Sequence, residues 1–376
     1  MKIAFLVKRF TLSGGKERYV VELVRDLNRR GHDIHVYACK CEPSLLKEIT
    51  FHQVPSHFIF SSVLNTLSFI RETRKLIPSH EYDIVHSHER NYTQDIVTLH
   101  SFSYLEGLEK YSFFRKMDQK HLSLRSLLYL MLEKRQMKSP WLVSVSQAVS
   151  KDIKKYYGRI DNIVTIPPGV DTDCFNPDTI KKHRDQARKE NHLYGDELAV
   201  LFVGSAFQRK GLDRILPEIS GNMRLFVVGK GDKLARYKKL VKKYDLEKKV
   251  VFTGMVKDVK KYYALADIVV LPSLSEAFGM SILEGMACGL PVIVSANSGV
   301  SELIEHNKNG LIMGKGSSLN ECLHILNSQE NRLRIGRNAR ETAKLYTWER
   351  VGQSHEEFYK KTCIKNRILL SAIKKD

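Results

Sequence analysis

The chain has 376 residues, and this length favours two domains over one. Hydrophobic residues make up 43% of the chain and charged residues 27%, as in an ordinary globular protein, and no apolar run approaches the roughly 20 residues of a membrane-spanning helix. The net charge of +19 predicts an anionic partner: a nucleic acid, an anionic membrane surface or a phosphorylated substrate.

The cysteines indicate a reducing compartment. They form no CxxC pair and no zinc-type spacing with histidines, and the N-terminal run MKIAFLVKRF meets charged residues too early for a signal peptide. Scattered thiols without a secretory signal predict a cytoplasmic protein. The cysteines are Cys39, Cys41, Cys174, Cys288, Cys322 and Cys363.

The first half of the chain alternates short apolar runs with amphipathic helical patterns. KIAFLV (2–7) precedes the helical KERYVVELVRDLNRRG, and HDIHVYAC (32–39) follows it. The later runs YDIVHSH (82–88) and WLVSVS (141–146) also read as strands next to helical stretches. This βαβ order predicts a parallel, doubly wound sheet.

A proline-rich segment divides the chain. NIVTIPPGVDTDCFNPD (162–178) contains three prolines and a glycine, and we interpret it as an interdomain linker. We therefore predict two Rossmann-like domains, residues 1–168 and 169–355, that face a ligand cleft. The strands predicted for the second domain lie within residues 198–205, 223–231, 249–256, 266–273 and 290–297.

A Gly-Gly pair follows the first predicted strand. In FTLSGGKERYVVEL (10–23), Gly14 and Gly15 come directly before a helix, where glycine lets a ligand approach the backbone and the helix N-terminus attracts anions. The spacing is not GxGxxG, which argues against a dinucleotide cofactor. A tight turn that binds no ligand is the alternative interpretation.

Two cations follow the first strand of the second series. In VGSAFQRKGLDRIL (203–216), the strand ends at Gly204, and Arg209 and Lys210 lie in the loop before a helix. Two cations at the mouth of a sheet suit a diphosphate, because they neutralise the charge of a leaving group. A solvated basic loop is the alternative.

Two glutamates lie in SEAFGMSILEGMACGLPVI (275–293), after the strand ADIVVLPS. Neighbouring carboxylates suggest the acid/base chemistry of glycosidases, but a loop and a helix start beyond a strand end suggest ligand binding instead. Glu284 lies one to two turns into the predicted helix, where a carboxylate can accept hydrogen bonds from vicinal hydroxyls, and Glu276 would reach another part of the ligand. The helix start offers the backbone N–H groups near Gly279, Met280 and Ser281.

Histidines end two strands of the first half. DIVHSHERNYTQDIVTLHSF (83–102) places His86 and His88 at the end of one strand and His100 at the end of another. A histidine at such a position is as easily structural as functional. His100, which follows the clean strand DIVTL, is the better functional candidate.

Together these stretches resemble glycosyltransferase family 4, whose members are retaining enzymes with the GT-B fold. The resemblance implies that a C-terminal helix over about 356–376 packs back on the first domain, as it usually does in GT-B chains. The similarity extends over nearly the whole chain, and the pair Glu276 and Glu284, downstream of Arg209 and Lys210, is its specific element. Within the family the chain is most similar to enzymes that add glucose to the inner-core heptose of lipopolysaccharide. Further matching stretches are IPPGVDTDCFNP, VGSAFQRKG, FVVGKGD and VVFTGMVKDV.

The resemblance implies a role for each candidate residue. Arg209 and Lys210 would bind the donor diphosphate and stabilise it as it leaves, Glu284 would hold the ribose hydroxyls, and Glu276 the sugar hydroxyls. His100 would contact the donor sugar near the reacting centre. The transfer would be a front-face reaction in which the leaving diphosphate helps to deprotonate the acceptor. The further donor-binding positions would be Gly14, Gly15, Gly204, Met255, Val256, Phe278, Gly279, Met280 and Ser281.

The expected donor is a nucleotide sugar, most simply UDP-glucose, with no metal or other cofactor. DTD (171–173) resembles a metal-binding motif, but it lies in the predicted linker, where the sequence is common in the family. Arg209 and Lys210 would do the work of a metal. Cys174 stands where related core glucosyltransferases carry an arginine, which departs from the pattern.

Residues 104–138 suggest contact with a membrane. They mix aromatic, leucine-rich and basic residues, as an interfacial segment drawn to anionic lipid does, although an ordinary helix with a basic face is the alternative. We expect a peripheral enzyme on the cytoplasmic face of the membrane with a lipid-linked saccharide acceptor. Rival interpretations are a family 4 enzyme with a different hexose donor and a basic nucleic-acid-binding protein. The latter lacks a nucleic-acid-binding motif.

Overall fold

The computed structural model describes residues 1–58, 61–78, 81–114, 124–314 and 316–373. The chain divides into two compact units: unit 1 is Met1–Pro168 with the segment from Trp348 onward, and unit 2 is Gly169–Thr347. The chain returns to unit 1 earlier than the expected position near residue 356. The reason is that Trp348 already begins the last helix and packs edge-on against Tyr19, with 5.6 Å between the ring centroids.

Unit 1 contains a fully parallel sheet. Its seven described strands lie in the order β5-β3-β1-β6-β7-β8-β9. A separate pair, β2 and β4, is also parallel. The strands are β1 Lys2–Leu6, β2 Arg9–Phe10, β3 Asp33–Ala38, β4 Lys40–Cys41, β5 Thr50–Gln53, β6 Ile84–Ser87, β7 Ile96–Leu99, β8 Trp141–Ser144 and β9 Ile163–Thr165.

The helices of unit 1 connect these strands in the predicted βαβ order. They are α1 Gly15–Arg29, α2 Ser62–Leu76, α3 Tyr104–Phe114, α4 Leu124–Gln136 and α5 Gln147–Tyr157, and the last helix of the chain, α13 Trp348–Ile373, also belongs here. A short 3₁₀ helix covers Pro43–Glu48. Part of the segment 104–138 lies outside the described residues.

The central strands are apolar without alternation. Ile3, Ala4, Phe5 and Leu6 of β1 are all completely buried, as are Ile96 and Val97 of β7. Strands of a parallel sheet are covered by helices on both faces, so every side chain on them meets a core. The central strands therefore appear in the sequence as short continuous apolar runs.

The predicted linker was too long. Ile163, Val164 and Thr165 pair in register with Leu142, Val143 and Ser144 and form the edge strand β9, and Pro177 begins a helix. Asn176 caps that helix by accepting a hydrogen bond from the Thr179 N–H at 2.7 Å. The irregular part of this connection is residues 166–176, between β9 and the helix that begins at Pro177.

Unit 2 contains the second parallel sheet. Its six described strands lie in the order β12-β11-β10-β13-β14-β15. They are β10 Leu198–Val203, β11 Met223–Val228, β12 Val250–Gly254, β13 Ile268–Leu271, β14 Val292–Ser295 and β15 Leu311–Met313.

The helices of unit 2 complete the βαβ units. They are α6 Pro177–Glu190, α7 Leu212–Ile215, α8 Leu234–Lys243, α9 Lys260–Leu265, α10 Met280–Ala287, α11 Leu319–Ile325 and α12 Gln329–Ala343, with 3₁₀ turns at Leu216–Glu218 and Gly299–Leu303. In the part of the chain described above, no helix of either unit is both long and apolar enough to cross a membrane.

Candidate active site

A lysine side chain crosses a glycine at the carboxyl end of β10. A Cβ atom added to Gly204 would lie 2.3 Å from Lys210 Cδ and 2.6 Å from Lys210 Cε, closer than real Cβ contacts come. The Gly204 N–H donates to the carbonyl of Val228 on the neighbouring strand at 2.8 Å, which fixes the turn. Glycine at position 204 therefore determines the path of the Lys210 side chain.

Arg209 and Lys210 converge on the carboxylate of Glu276. Arg209 Nη1 lies 3.0 Å and Lys210 Nζ 2.9 Å from the same oxygen, Oε2. Arg209 also donates to the Ser275 carbonyl at 2.8 Å. Burial raises the pKa of Glu276, but Lys210 and Arg209 outweigh it and hold the pKa below its usual value. Glu276 is thus a carboxylate near neutral pH, held by two cations in a place that suits an anionic group.

The start of α10 lies next to this ion cluster. Gly279 precedes the helix with a φ of +111°, and an added Cβ there would lie 3.1 Å from Leu271 Cδ2 and 3.7 Å from Glu276 Cγ. The first N–H groups of a helix have no intrahelical partner and carry partial positive charge. Those N–H groups, together with the preceding Phe278 N–H, are the backbone donors predicted from the sequence: Phe278, Gly279, Met280 and Ser281.

Glu284 lies on α10 and is almost completely buried. The hydroxyl of Tyr263, on α9, donates to Glu284 Oε2 at 2.7 Å, and the Tyr263 ring is itself fully buried. A hydrogen bond to a buried carboxylate fixes the orientation of that carboxylate. Glu284 is therefore an oriented acceptor one turn beyond the helix start.

Glycines allow the ends of three adjacent strands of unit 2, β10, β11 and β12, to lie close together. The Gly229 N–H, after β11, donates to the Gly254 carbonyl at the end of β12 with an N–O distance of 2.9 Å. A Cβ on Gly229 would lie 2.3 Å from the Gly204 carbonyl oxygen, so only glycine allows this approach. Met255 and Val256 follow directly, and the Met255 side chain is 66% exposed.

The remaining predicted residues belong to unit 1. Gly14 precedes α1 with a φ of +100°, and a Cβ there would lie 2.6 Å from Glu17 Oε2. Gly15 is the first residue of α1. Lys16, the next residue, forms a 2.5 Å ion pair between its Nζ and Glu89 Oε1. The pair connects the helix start to the loop after β6.

A cavity of about 120 Å³ lies at the carboxyl ends of β6 and β7. His100, Lys16 and Glu89 are among the side chains that line it, together with Arg90 and His88. Burial lowers the pKa of His100 to about 3, and the neighbouring Lys16 and His355 act in the same direction. The His100 ring is therefore neutral near pH 7, with one N–H group.

His88 determines which nitrogen of His100 carries the hydrogen. His88 Nδ1 and His100 Nε2 are 2.9 Å apart, while the buried His88 Nε2 has no hydrogen-bond partner within the described part of the chain. An unpaired buried N–H is rarer than an unpaired acceptor, which favours a hydrogen on His88 Nδ1 that is donated to His100. His100 then keeps its own hydrogen on Nδ1, where it can be donated to a ligand.

His86 is structural. Its Nδ1 hydrogen-bonds the Tyr359 hydroxyl at 2.6 Å and its Nε2 the Thr98 hydroxyl at 2.7 Å, and it is completely buried. Asp171 of the DTD segment is also engaged in the local structure, because its carboxylate accepts hydrogen bonds from the backbone N–H groups of Asp173 and Cys174 at 3.0 and 2.9 Å. Within the described ranges, no group of three or more acidic, histidine or cysteine side chains is arranged to hold a metal ion.

Comparison with known proteins decides the family. A family model described as Glycosyltransferase Family 4 matches residues 13–174, and another, Glycosyl transferases group 1, matches residues 183–342. The chain is a family 4 glycosyltransferase. It is therefore a retaining transferase, and the predicted enzyme class and family are confirmed.

The sequence similarity to known proteins extends over almost the whole chain. Lipopolysaccharide glucosyltransferase WaaG of Escherichia coli K12 is 28% identical, covering 92% of this chain and 96% of that protein. N-acetyl-alpha-D-glucosaminyl L-malate synthase of Bacillus anthracis is 23% identical over 96% of this chain and 97% of that protein. The crystal structure of WaaG matches with a TM-score of 0.81 and 25% identity, covering 95% of this chain and 99% of WaaG. This match and the two parallel sheets confirm the predicted GT-B fold.

Two residues at the candidate site, Tyr263 and Lys16, were not predicted, and His88 was named as a strand-end histidine without its contact to His100. Tyr263 orients Glu284, Lys16 pairs with Glu89, and His88 hydrogen-bonds His100. His88 had a visible signal, since HSH places alternate histidines at a strand end. Tyr263 had none, because its contact with Glu284 depends on the packing of α9 against the start of α10.

Proposed function

We propose that the enzyme transfers glucose from UDP-glucose to a heptose of the lipopolysaccharide core or to a similar lipid-linked acceptor. The observation that carries this proposal is the similarity to WaaG, which includes both units and leaves almost none of either protein unmatched. No metal is assigned a part in the reaction. We place the enzyme on the cytoplasmic face of the membrane.

We assign the diphosphate of the donor to Arg209 and Lys210. Their cationic groups already hold one carboxylate oxygen between them, and a phosphate oxygen can make the same contacts. As the bond between the anomeric carbon and the phosphate oxygen breaks, negative charge develops on the diphosphate, and both cations stabilise it. The acceptor oxygen bonds to the same face of that carbon, and its proton passes to the leaving phosphate.

We assign the two glutamates to binding and not to acid/base chemistry. Two cations keep Glu276 ionised, which does not suit a general acid, and Tyr263 holds Glu284 as an oriented acceptor. Glu276 then receives sugar hydroxyls and Glu284 the ribose hydroxyls. The N–H groups of Phe278, Gly279, Met280 and Ser281 face the phosphates and sugar, Gly204 gives Lys210 its path, and Met255 and Val256 contact the base.

We also assign contacts with the donor to residues of unit 1. Gly14 and Gly15 leave the start of α1 open to the phosphate or sugar, and His100 donates its Nδ1 hydrogen to a sugar hydroxyl. The arrangement of His88 and His100 supports this assignment, because it leaves that hydrogen free of His88.

Exposed side chains of α4 support contact with a membrane. Leu124, Leu127 and Met131 are 73%, 49% and 60% exposed, and their spacing places them on one face of the helix. The basic residues Lys134 and Arg135 at the end of α4 are also exposed. An apolar face with flanking cations binds anionic bilayers through burial and charge together.

Vesicle flotation tests this membrane assignment. Leu124→Ser/Leu127→Ser/Met131→Ser should lose most of its binding to vesicles that contain phosphatidylglycerol, while Leu333→Ser/Leu345→Ser, at exposed leucines of unit 2, should bind like the wild type. Equal binding of both variants and the wild type would remove α4 from the membrane contact.

A different family 4 hexosyltransferase is the second candidate. It is favoured by the match to the Bacillus anthracis synthase, named for an N-acetylglucosaminyl product, which extends over 96% of this chain. Incubation of heptose-terminated lipopolysaccharide with radiolabelled UDP-glucose or UDP-N-acetylglucosamine separates the candidates. Label from UDP-glucose alone supports the proposal, and label only from the other donor, or none in the lipopolysaccharide, contradicts it.

A further inference from the structure

A second, larger groove of unit 1 carries a concentration of positive charge. Its volume is about 550 Å³, and among the described residues three cations, Lys8, Arg90 and Arg125, line it together with one carboxylate, that of Glu89. The remaining described lining residues are Ser62, Asn65, Thr66 and Tyr129. Loops after β1 and β6 supply Lys8, Glu89 and Arg90, and the helices α2 and α4 supply the rest.

The carboxylate of the groove is already engaged. Glu89 Oε1 forms the 2.5 Å ion pair with Lys16 and also accepts the backbone N–H of Lys8 at 3.2 Å. Arg90 pairs with the buried Glu133 at 3.1 Å, yet its buried Nε has no hydrogen-bond partner among the described residues. Among the described residues, the two local carboxylates thus pair with Lys16 and Arg90, and neither forms an ion pair with Lys8 or Arg125.

Lys8 and Arg125 form no ion pair within the described residues. Lys8 Nζ donates only to the Thr66 hydroxyl at 2.8 Å, and an Arg125 Nη2 N–H donates to the Ser62 hydroxyl at 3.2 Å. Burial lowers the pKa of Lys8; Glu89 offsets part of this effect, and Lys16 adds to it. A half-buried ammonium group whose direct hydrogen bond is to a hydroxyl gains from an anion in a way that a solvated lysine does not.

Tyr129 holds the two guanidinium groups of the groove. The guanidinium carbons of Arg90 and Arg125 lie 5.2 and 5.8 Å from the centre of the Tyr129 ring. Cation–π contacts restrain both groups, and a restrained planar guanidinium binds a phosphate through two parallel hydrogen bonds. A phosphate monoester, with close to two negative charges and three acceptor oxygens, matches Lys8 and Arg125, the two cations of the groove that form no ion pair among the described residues.

The groove adjoins the cavity that contains His100. Glu89 and Arg90 line both spaces. A molecule whose phosphate occupied the groove would therefore extend toward the cavity where we assign the sugar that is transferred.

We propose that this groove binds a phosphate ester carried by the acceptor, so that the acceptor is a phosphorylated saccharide. The assignment of the phosphate to the acceptor rests on the proposed transferase function. Lys8 and Arg125 provide the free charge, Arg90 the third cation, and Ser62, Asn65 and Thr66 hydroxyl and amide contacts at the rim.

Calorimetric titration with glucose 6-phosphate and glucose tests the groove directly. The titrations contain saturating UDP, so that Arg209 and Lys210 do not bind the probe. The wild type should bind glucose 6-phosphate but not glucose, and Lys8→Gln/Arg125→Gln should bind it at least about tenfold more weakly. Lys151→Gln/Lys154→Gln removes the same charge at exposed sites of unit 1 and should keep wild-type affinity.

Three results would overturn the proposal. The first is wild-type affinity in Lys8→Gln/Arg125→Gln, and the second is an equal loss in the control variant. The third is that Lys8→Gln/Arg125→Gln binds phosphatidylglycerol vesicles more weakly than the wild type but binds glucose 6-phosphate equally well, because the groove would then hold a lipid headgroup. The exposed Arg125→Gln variant alone gives the same test if Lys8→Gln does not fold. Absence of UDP-glucose turnover in the wild type would refute the transferase proposal but would leave the phosphate result intact.

Discussion

Replacement of Gly204 by alanine should inactivate the enzyme by moving Lys210. An added Cβ would lie 2.3 Å from Lys210 Cδ, whereas carbon atoms pack at about 3.5 to 4.0 Å, so the lysine side chain must shift by about 1 Å or more. The lysine side chain is long and flexible and can move, while an alanine at a φ of +157° also strains the backbone. The fold should therefore survive with a lower melting temperature, and the ammonium group should leave its place 2.9 Å from Glu276 Oε2.

The cost follows from the displacement. With an effective dielectric constant of about 20, moving a unit charge from 2.9 to about 3.9 Å from its partner loses about 1.5 kcal/mol. Loss of the charged hydrogen bond adds about 1.5 kcal/mol more. If the same contact is made to the leaving diphosphate, Gly204→Ala should lower kcat by between about tenfold and about 100-fold.

A double-mutant cycle measures whether Lys210 transmits the effect. UDP release from UDP-glucose is followed for Gly204→Ala, Lys210→Ala and the double variant, with thermal unfolding as the check on folding. In the Lys210→Ala background, Gly204→Ala should have almost no further effect. Gly107→Ala, where a Cβ meets nothing within 4 Å, should keep full activity. Full activity of Gly204→Ala beside an inactive Lys210→Ala, or additive losses in the double variant, would refute the reasoning.

Three further changes test other parts of the site. Tyr263→Phe removes the hydroxyl that orients Glu284 and should weaken UDP binding about tenfold with a smaller change in kcat; calorimetry showing wild-type affinity would contradict the assignment of Glu284. His88→Asn keeps an N–H near Nδ1 and should retain most activity, whereas His88→Gln should lose about tenfold in kcat; the reverse order would contradict the donor direction. Burial lowers the pKa values of His100 and His355 to about 3. Between pH 6.5 and about 3 these two histidines therefore bind protons only in the unfolded chain, so the free energy of unfolding should decrease as the pH is lowered. At pH 5 each of the two histidines should lower the free energy of unfolding by about 2 kcal/mol relative to pH 8. Urea unfolding should therefore show a weaker pH dependence for His355→Gln than for the exposed-site control His324→Gln.

Most of the fold was predictable because parallel strands are buried on both faces. Runs such as KIAFLV and ADIVVLPS contain the observed strands β1 and β13, with an error of one or two residues at the ends. Short or partly polar strands were missed. β5, with the sequence TFHQ, has no apolar run, and β9 was hidden in a segment that its prolines made resemble a linker.

The local parts of the site were also predictable, but the long-range contacts were not. Arg209, Lys210 and Glu276 stood out as charged residues beyond strand ends, and in the structure they meet at one oxygen atom. Tyr263 and the groove of Lys8 and Arg125 depend on which helices pack together, for which the sequence carried no signal. Two carboxylates suggested acid/base chemistry, whereas the cations around Glu276 and the hydrogen bond from Tyr263 to Glu284 argue for binding instead.

The most direct test of the account is UDP or GDP release across a panel of nucleotide sugars with the wild type, Lys210→Ala and Glu284→Ala. The account predicts that UDP-glucose is turned over fastest. Lys210→Ala should lower kcat by about 100-fold, and Glu284→Ala should mainly raise the KM for the donor. Absence of turnover or binding with every donor would contradict the enzyme assignment, and full turnover by both variants would contradict the assignment of the site.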